Sequence, residues 1–385
     1  MDFGYTEEQE AVRKMVRSFA ENEIEPGAEE RDKTGKFDYG LYRRLGELGI
    51  CGMRFPEEYG GSDAGFLTWC LALEEMGRVD LSLSWSLFVG TGTTMRILNL
   101  GTPEQIEQFN DKWILPTIKG EALGAGAITE PGAGSDTSRI QTTAVQEGDE
   151  WVINGTKAFI TNAGLDICNV ASVVCLTDKE KKEFEMILVP VGTPGYRIMP
   201  PYRKMGLRSS YTAELAFDGC RVPLINAIGE RGAGRADTVK LLAIGRVSLC
   251  STALGLHHAC YEQAIKYAKM RVAFKQPIFE FQHVQGMLVD MALDMELSRM
   301  MRDKAALLID QGKPHMKEAS MAKYFCCEAA IRAANSAVQI HGATGYMDEC
   351  AVSRYYRDIR AATIADGTTQ IQKWIIAREI GRDWT

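Results

Sequence analysis

The feature that most constrains this chain is a switch in hydrophobic period, from helical to alternating and back, along its 385 residues. Up to about residue 122 the pattern is helical. Thr6, Glu7, Glu8 and Gln9 form a capping box, in which the Thr6 hydroxyl satisfies a free N–H while Gln9 reaches back. Val12, Met15, Val16 and Phe19 follow at helical spacing. Further helical patterns cover 39–49, 67–76 and 103–118, with loop punctuation such as PEEYGGSDAG at 56–65 between them. From about 123 to 232 the pattern is short, alternating and rich in β-branched residues. Asn154-Gly155, between two apolar runs in WVINGTKAFIT, predicts a hairpin turn there. NVASVVCLT, FEMILVPV and AELAFDGCRVP predict further strands of a small antiparallel sheet. From 233 onward the helical period returns. Val239, Leu242, Arg246 and Leu249 share one helix face, and 283–310 is a long helical pattern whose methionines read as core filler. The class is therefore α+β, with a helical domain over 1–122, a β domain over 123–232 and a helical domain over 233–385. A β domain between helical ones leaves clefts at its borders, where cofactors usually bind.

Charge narrows the ligand classes. The formal net charge is −7, a poor match to nucleic acid or an anionic membrane. Any anionic ligand must be met by local Arg and Lys. Ten cysteines include no CxxC pair and have no His at ligand spacing, so they read as buried free thiols of a reducing compartment and no metal site is expected. The acidic start MDFGYTEEQE lacks the apolar core of a signal peptide. No run of about 18 apolar residues is found either. The expectation is a cytoplasmic protein without a membrane span.

Three places carry chemistry. In AITEPGAGSD, Pro131, Gly132 and Gly134 force an irregular loop with exposed N–H groups, and Thr129, Ser135 and Asp136 add hydroxyls and a carboxylate. That suits a polar, partly anionic ligand, although the same residues also make an ordinary turn. Arg246 lies inside the apolar run LLAIGRVSL; a buried Arg is costly unless paired, which points to a site or a salt bridge. Asp366 precedes Gly-Thr-Thr and an amphipathic run with Ile371, Trp374 and Ile375, the pattern of a helix N-cap.

Read together, the motifs are more specific. ITEPGAGSD at 128–136, FPEEYGG at 55–61, KMGLRSSYTAEL at 204–215, RVAFKQPI from 271, QIHGATGY at 339–346 and ADGTTQIQ at 365–372 resemble, in order and spacing, the acyl-CoA dehydrogenase family. The resemblance spans essentially the whole chain. It implies a homotetrameric FAD enzyme acting on acyl-CoA thioesters, with an electron-transfer flavoprotein as electron acceptor. It further implies that Ile128 and Thr129 bond the pyrimidine edge of the flavin, that Thr161 stands near N5, and that Phe159 replaces the Trp many relatives place beside the ring. Arg271 and Phe274 resemble a pair that reaches across a subunit boundary to the neighbour's FAD, a site completed by Gln339, Gly342, Thr368 and Gln370. Ser135 and Arg246, with Gly367, resemble residues that hold the CoA thioester.

The base position departs from the family. Most relatives have Glu before the Gly-Thr of the last helix, where this chain has Asp366; some place it before the middle-helix Arg, where this chain has Gly245. The resemblance makes Asp366 the base for the α-proton, with its own N–H polarising the thioester carbonyl, alongside its reading as a cap. Aspartate is shorter by one methylene, about 1.5 Å of reach, and misplacement by about 1 Å can cost a hundredfold in rate. A compact ring or short branched acyl group, met by the pocket-lining residues Phe88 to Thr94, compensates for the shorter base. A 1,4-elimination on a cyclic enoyl-CoA, reduction of an enoyl-CoA, nitroalkane oxidation and a non-catalytic FAD-binding scaffold are the other readings open at this point.

Overall fold

A computed structural model describes residues 4–383. Seven helices come first: α1 (Glu7–Phe19), α2 (Ala28–Thr34), α3 (Tyr39–Glu47), α4 (Phe66–Val79), α5 (Leu81–Leu100), α6 (Pro103–Phe109) and α7 (Leu115–Ile118). The capping box that opens α1 forms as the sequence predicts: Gln9 N donates to Thr6 Oγ1 at 3.2 Å and Thr6 N to Gln9 Oε1 at 3.0 Å. The pattern over 103–118 is not one helix. A π-helical turn at Asn110–Ile114 separates α6 from α7.

Eight strands follow: β1 (Leu123–Ala127), β2 (Thr143–Glu147), β3 (Glu150–Thr161), β4 (Cys168–Asp178), β5 (Glu183–Pro190), β6 (Tyr196–Ile198), β7 (Thr212–Pro223) and β8 (Ala227–Ile228). They form one sheet, in order β6-β7-β3-β2-β4-β5-β8 with β1 added beside β4. The sheet is mixed rather than wholly antiparallel, because β1 and β2 both run parallel to β4. The hairpin expected at Asn154-Gly155 is not there. The turn is at Gly148-Asp149, and Asn154-Gly155 lies within β3, where the register against β7 shifts. Tertiary contacts use those two residues differently. Asn154 Oδ1 accepts from Gly219 N at 2.8 Å, and a Cβ on Gly155 would come within 2.6 Å of Thr142 Oγ1. Gly is required there for a close approach, which marks a bulge as readily as a turn.

The C-terminal part is a bundle of α8 (Gly234–Met270), α9 (Gln282–Asp310), α10 (Met316–His341), α11 (Ala351–Ile359) and α12 (Thr369–Asp383), with a small hairpin of β9 (Val272–Ala273) and β10 (Gln276–Pro277) after α8. α8 has the length and apolar composition of a membrane span, but most of its apolar stretch is buried among its neighbours. It crosses α4 at backbone contact, since a Cβ on Gly255 would lie 2.0 Å from Glu74 O. The core-filler reading of the 283–310 methionines holds only in part. Met291 and Met295 are buried, whereas Val289, Leu293, Leu297, Met300 and Leu307 leave an apolar stripe of α9 exposed on the single chain.

Glu74 of α4 and Arg302 of α9 form a buried pair at 2.9 Å, with side-chain exposures of 1% and 0%. Removing one partner strands the other charge. Arg302→Met is expected to cost about 3–5 kcal/mol in a urea unfolding titration. A loss under about 1 kcal/mol would show that Arg299, 3.2 Å from Glu74, neutralises it alone.

Candidate active site

A cavity of about 750 Å³ opens where the sheet meets the helices. α5 contributes Trp85, Phe88, Gly92 and Arg96 to its wall. β1 and the loop after it contribute Gly126, Ile128, Thr129 and Ser135, β3 contributes Phe159 and Thr161, and α8 contributes Ile244, Gly245 and Ser248. The segment 364–368 closes the opposite side.

Asp366 is not the cap of α12. The helix begins at Thr369, and Thr368 takes the capping role, its Oγ1 accepting from Ile371 N at 3.4 Å. Asp366 stands two residues earlier, in left-handed backbone at φ 53. Its carbonyl and that of Gly367 are pinned from behind. Arg246 Nε donates to Asp366 O at 3.2 Å, Gln372 Nε2 to the same oxygen at 3.1 Å, and Lys323 Nζ to Gly367 O at 2.8 Å. Backbone strain of this kind persists only where surrounding contacts over-determine it. With its carbonyl held behind, the carboxylate turns to the cavity, where a Cβ on Gly245 would stand 3.4 Å from Oδ2. Among the described residues no acceptor meets the Asp366 N–H. Burial raises the Asp366 carboxyl above the ordinary aspartate range, while Lys323, Arg246 and Arg96 pull it back.

The facing wall is the β domain. Lys157, fully buried, donates to Glu130 Oε1 at 2.8 Å and to Ile128 O at 3.0 Å. Glu130 in turn accepts from Gln141 N at 2.7 Å and Thr142 N at 2.9 Å. This network anchors the loop 128–136 at its base and leaves its tip open: no atom lies within 4 Å of where a Cβ on Gly132 or Gly134 would be. Phe159 sits at a second register shift of β3, at φ 60. The residue is 63% exposed, and its ring stacks on Tyr202 at 5.1 Å between centroids.

The residues singled out from the sequence divide into two groups. Ile128, Thr129, Ser135, Phe159, Thr161, Asp366, Gly367 and Thr368 all line the one cavity. Arg271, Phe274, Gln339, Gly342 and Gln370 do not; each is on the surface of the chain, Phe274 at 90% exposure. Arg246 differs from its expected place. It is 3% exposed, does not line the cavity, and holds the Asp366 carbonyl from behind. Sequence reasoning missed Lys323 and Gln372, which hold the same loop. It also missed the four arginines in the wall, Arg54, Arg96, Arg357 and Arg360, although the first two carry the signal that exposed Arg246: a lone cation inside an apolar run, GMRF and TMRIL.

Comparison with known proteins adds an independent line. Three family models match in chain order: the acyl-CoA dehydrogenase N-terminal domain over residues 6–121, middle domain over 125–220 and C-terminal domain over 232–381. The probable acyl-CoA dehydrogenase YngJ of Bacillus subtilis is 42% identical, over 99% of this chain and 100% of its own. Butyryl-CoA dehydrogenase from Megasphaera elsdenii superposes with a TM-score of 0.94 at 35% identity, over 99% of this chain and 100% of that one. A chain from a structure of the electron transferring flavoprotein of Acidaminococcus fermentans superposes at 0.95 with 37% identity, over 99% of both.

Proposed function

The chain belongs to the acyl-CoA dehydrogenase family, and from that premise we propose that it oxidises a short, compact acyl-CoA, with Asp366 as the base. One observation carries the reading. The half-buried Asp366, whose N–H meets no acceptor among the described residues, lines a cavity whose other wall is a glycine-bordered loop and an exposed aromatic ring.

FAD is the cofactor of the family, and the site fits it. The loop tip at Gly132 and Gly134 has room for a ligand against its backbone. Phe159 offers an uncovered ring face beside Thr129 and Thr161. These residues, with Ile128 and Ser135, would hold the ring end; Arg271, Phe274, Gln339, Gly342, Thr368 and Gln370 would hold the remainder. FAD, when bound, supplies the two-electron acceptor for the β-hydrogen. The protein's own work is at the α-carbon. The Asp366 N–H polarises the thioester carbonyl and stabilises negative charge as it develops there. The Asp366 carboxylate takes the α-proton, made more basic by its enclosure. Arg246, Gln372 and Lys323 keep that residue turned inward.

The short base favours an acyl group whose α-carbon comes close to the 366 loop, as in a small ring or branched chain, and Trp85 and Phe88 keep the space above α5 compact. The similarity to a butyryl-CoA dehydrogenase supports the short length. We also infer a homotetramer. The exposed α9 stripe and the surface position of Arg271 and Phe274 are accounted for if neighbouring copies cover them. An electron-transfer flavoprotein is the proposed acceptor.

Anaerobic mixing of the FAD-loaded protein with acyl-CoA thioesters tests the assignment. Butyryl, isobutyryl or cyclohexanecarbonyl thioesters are expected to bleach the flavin, and palmitoyl-CoA to be slower. Failure of every thioester to bleach it would leave the scaffold reading; faster turnover of palmitoyl-CoA would overturn the compact pocket.

The pH profile follows from the same site. The base works ionised, so flavin reduction is expected to fall as pH drops through the Asp366 pKa, which burial raises. Arg96→Met removes one of three cations that oppose that rise, so its acid limb should move to higher pH in stopped-flow measurements. An unmoved or lowered limb would mean that another group sets it.

A further inference from the structure

We propose that the acyl group this cavity accepts carries a second carboxylate, which Arg54 binds within the cavity. The proposal rests on the acyl-CoA reading above and names the substrate class more closely.

Arg54 follows α3, in the loop that leads to α4, and lines the cavity. Its guanidinium lies 4.8 Å from the Phe66 ring centroid and 6.0 Å from that of Trp69. Among the described residues it has these aromatic contacts and no ion pair within 4 Å. The nearest carboxylate that influences it is Asp310, and both Asp310 oxygens are engaged at the start of α4, accepting from Phe66 N at 2.5 Å and Leu67 N at 3.0 Å. Burial lowers the Arg54 pKa to about 10, so the group stays cationic at neutral pH. A cation withdrawn from bulk water is costly unless an anion or ordered water meets it. Its side chain is only partly covered and faces the cavity. Stacking on aromatic rings holds a guanidinium by its face and leaves the N–H edge available for two parallel bonds to a carboxylate.

A chain of contacts along α8 links Arg54 to the wall that holds Asp366. Gly245 faces the Asp366 carboxylate. Ser248 lies three residues on, nearly one helical turn and about 5 Å along the axis. Trp69 Nε1 donates to Ser248 Oγ at 3.3 Å, and the Arg54 guanidinium lies 6.0 Å from the Trp69 ring centroid. Arg96 is a different case: it donates to Ser172 Oγ and packs over Gly126, near the base. A substrate that places its α-carbon at Asp366 and a carboxylate a few carbons further would reach Arg54.

The test compares glutaryl-, adipyl- and pimelyl-CoA with the monocarboxylic thioesters of equal chain length, on the FAD-loaded protein. Flavin bleaching reads turnover, and isothermal titration with the same thioesters reads binding whether or not turnover occurs. At least one dicarboxylic thioester is expected to exceed its monocarboxylic match about 30-fold in kcat/KM or affinity. Arg54→Met should abolish that preference, and Arg54→Lys should keep part of it, which separates loss of charge from loss of fold. Wild-type preference for the monocarboxylic members, or an unchanged ratio in Arg54→Met, would overturn the proposal. Bleaching by monocarboxylic thioesters alone would overturn it while leaving the dehydrogenase assignment intact. Preferential binding of dicarboxylic thioesters without any bleaching would sustain it and sink the dehydrogenase assignment instead.

Discussion

Asp366→Asn is expected to bind FAD and acyl-CoA thioesters while reducing its flavin roughly 10²- to 10⁴-fold more slowly than the wild type. The substitution removes the proton acceptor and little else. Asn tolerates left-handed backbone at least as well as Asp, so φ 53 at this position is retained. The bonds from Arg246 and Gln372 are made to the main-chain oxygen, which Asn keeps, and the N–H of the residue is also unchanged. α12 should be unaffected, because Thr368 rather than Asp366 caps it. Single-turnover bleaching with the best short thioester is the measurement, with binding checked by titration. Near wild-type bleaching would remove Asp366 from the chemistry. Asp366→Glu is the companion variant: its longer reach should shift preference from compact toward straight-chain acyl groups, and unchanged preference would count against reach as the determinant.

Arg271→Ala is expected to weaken FAD binding about 10- to 150-fold, so that the purified protein carries well under one FAD per chain. The estimate follows from losing a hydrogen bond to a charged group, about 1.5–3 kcal/mol. The chain carries a net charge of −7, so a bound pyrophosphate depends on whichever cations stand next to it. Arg271 is exposed on the single chain, at the start of the β9–β10 hairpin that bears Phe274. If neighbouring copies complete the site, Phe274→Asp should lower FAD content and also shift the assembly toward smaller species in light scattering. An Arg271→Ala protein that retains FAD at wild-type affinity would place the pyrophosphate elsewhere. A monomeric wild type with full FAD would remove the subunit boundary from the site.

These two residues illustrate how unevenly the site was legible. The helical, β and helical order follows from hydrophobic period, which neighbouring residues encode within one or two turns of chain. The Thr6–Gln9 capping box is equally local, spanning four residues. The loop 128–136 could be singled out because Pro and Gly restrict backbone shape wherever they occur. Asp366 could be singled out too, though as a cap, since Asp before Gly-Thr-Thr satisfies the local rule for a helix start.

What the local rules could not supply is which of two permitted conformations the rest of the molecule selects. Asn154-Gly155 is a bulge because Gly219, 65 residues away, meets the Asn154 side chain, and because Thr142 crowds Gly155. Asp366 turns into the cavity because Arg246, 120 residues away, holds its carbonyl. Arg54 and Arg96 lie in sequence runs as apolar as the one around Arg246, yet two of the three face the cavity and one supports it from behind. The sequence by itself determined which elements form, in what order, and which residue types are available for chemistry, because those depend on short-range periodicity and backbone restriction. Only the tertiary structure decided which polar groups remain without a partner and where they point, because that depends on packing between segments far apart in the chain.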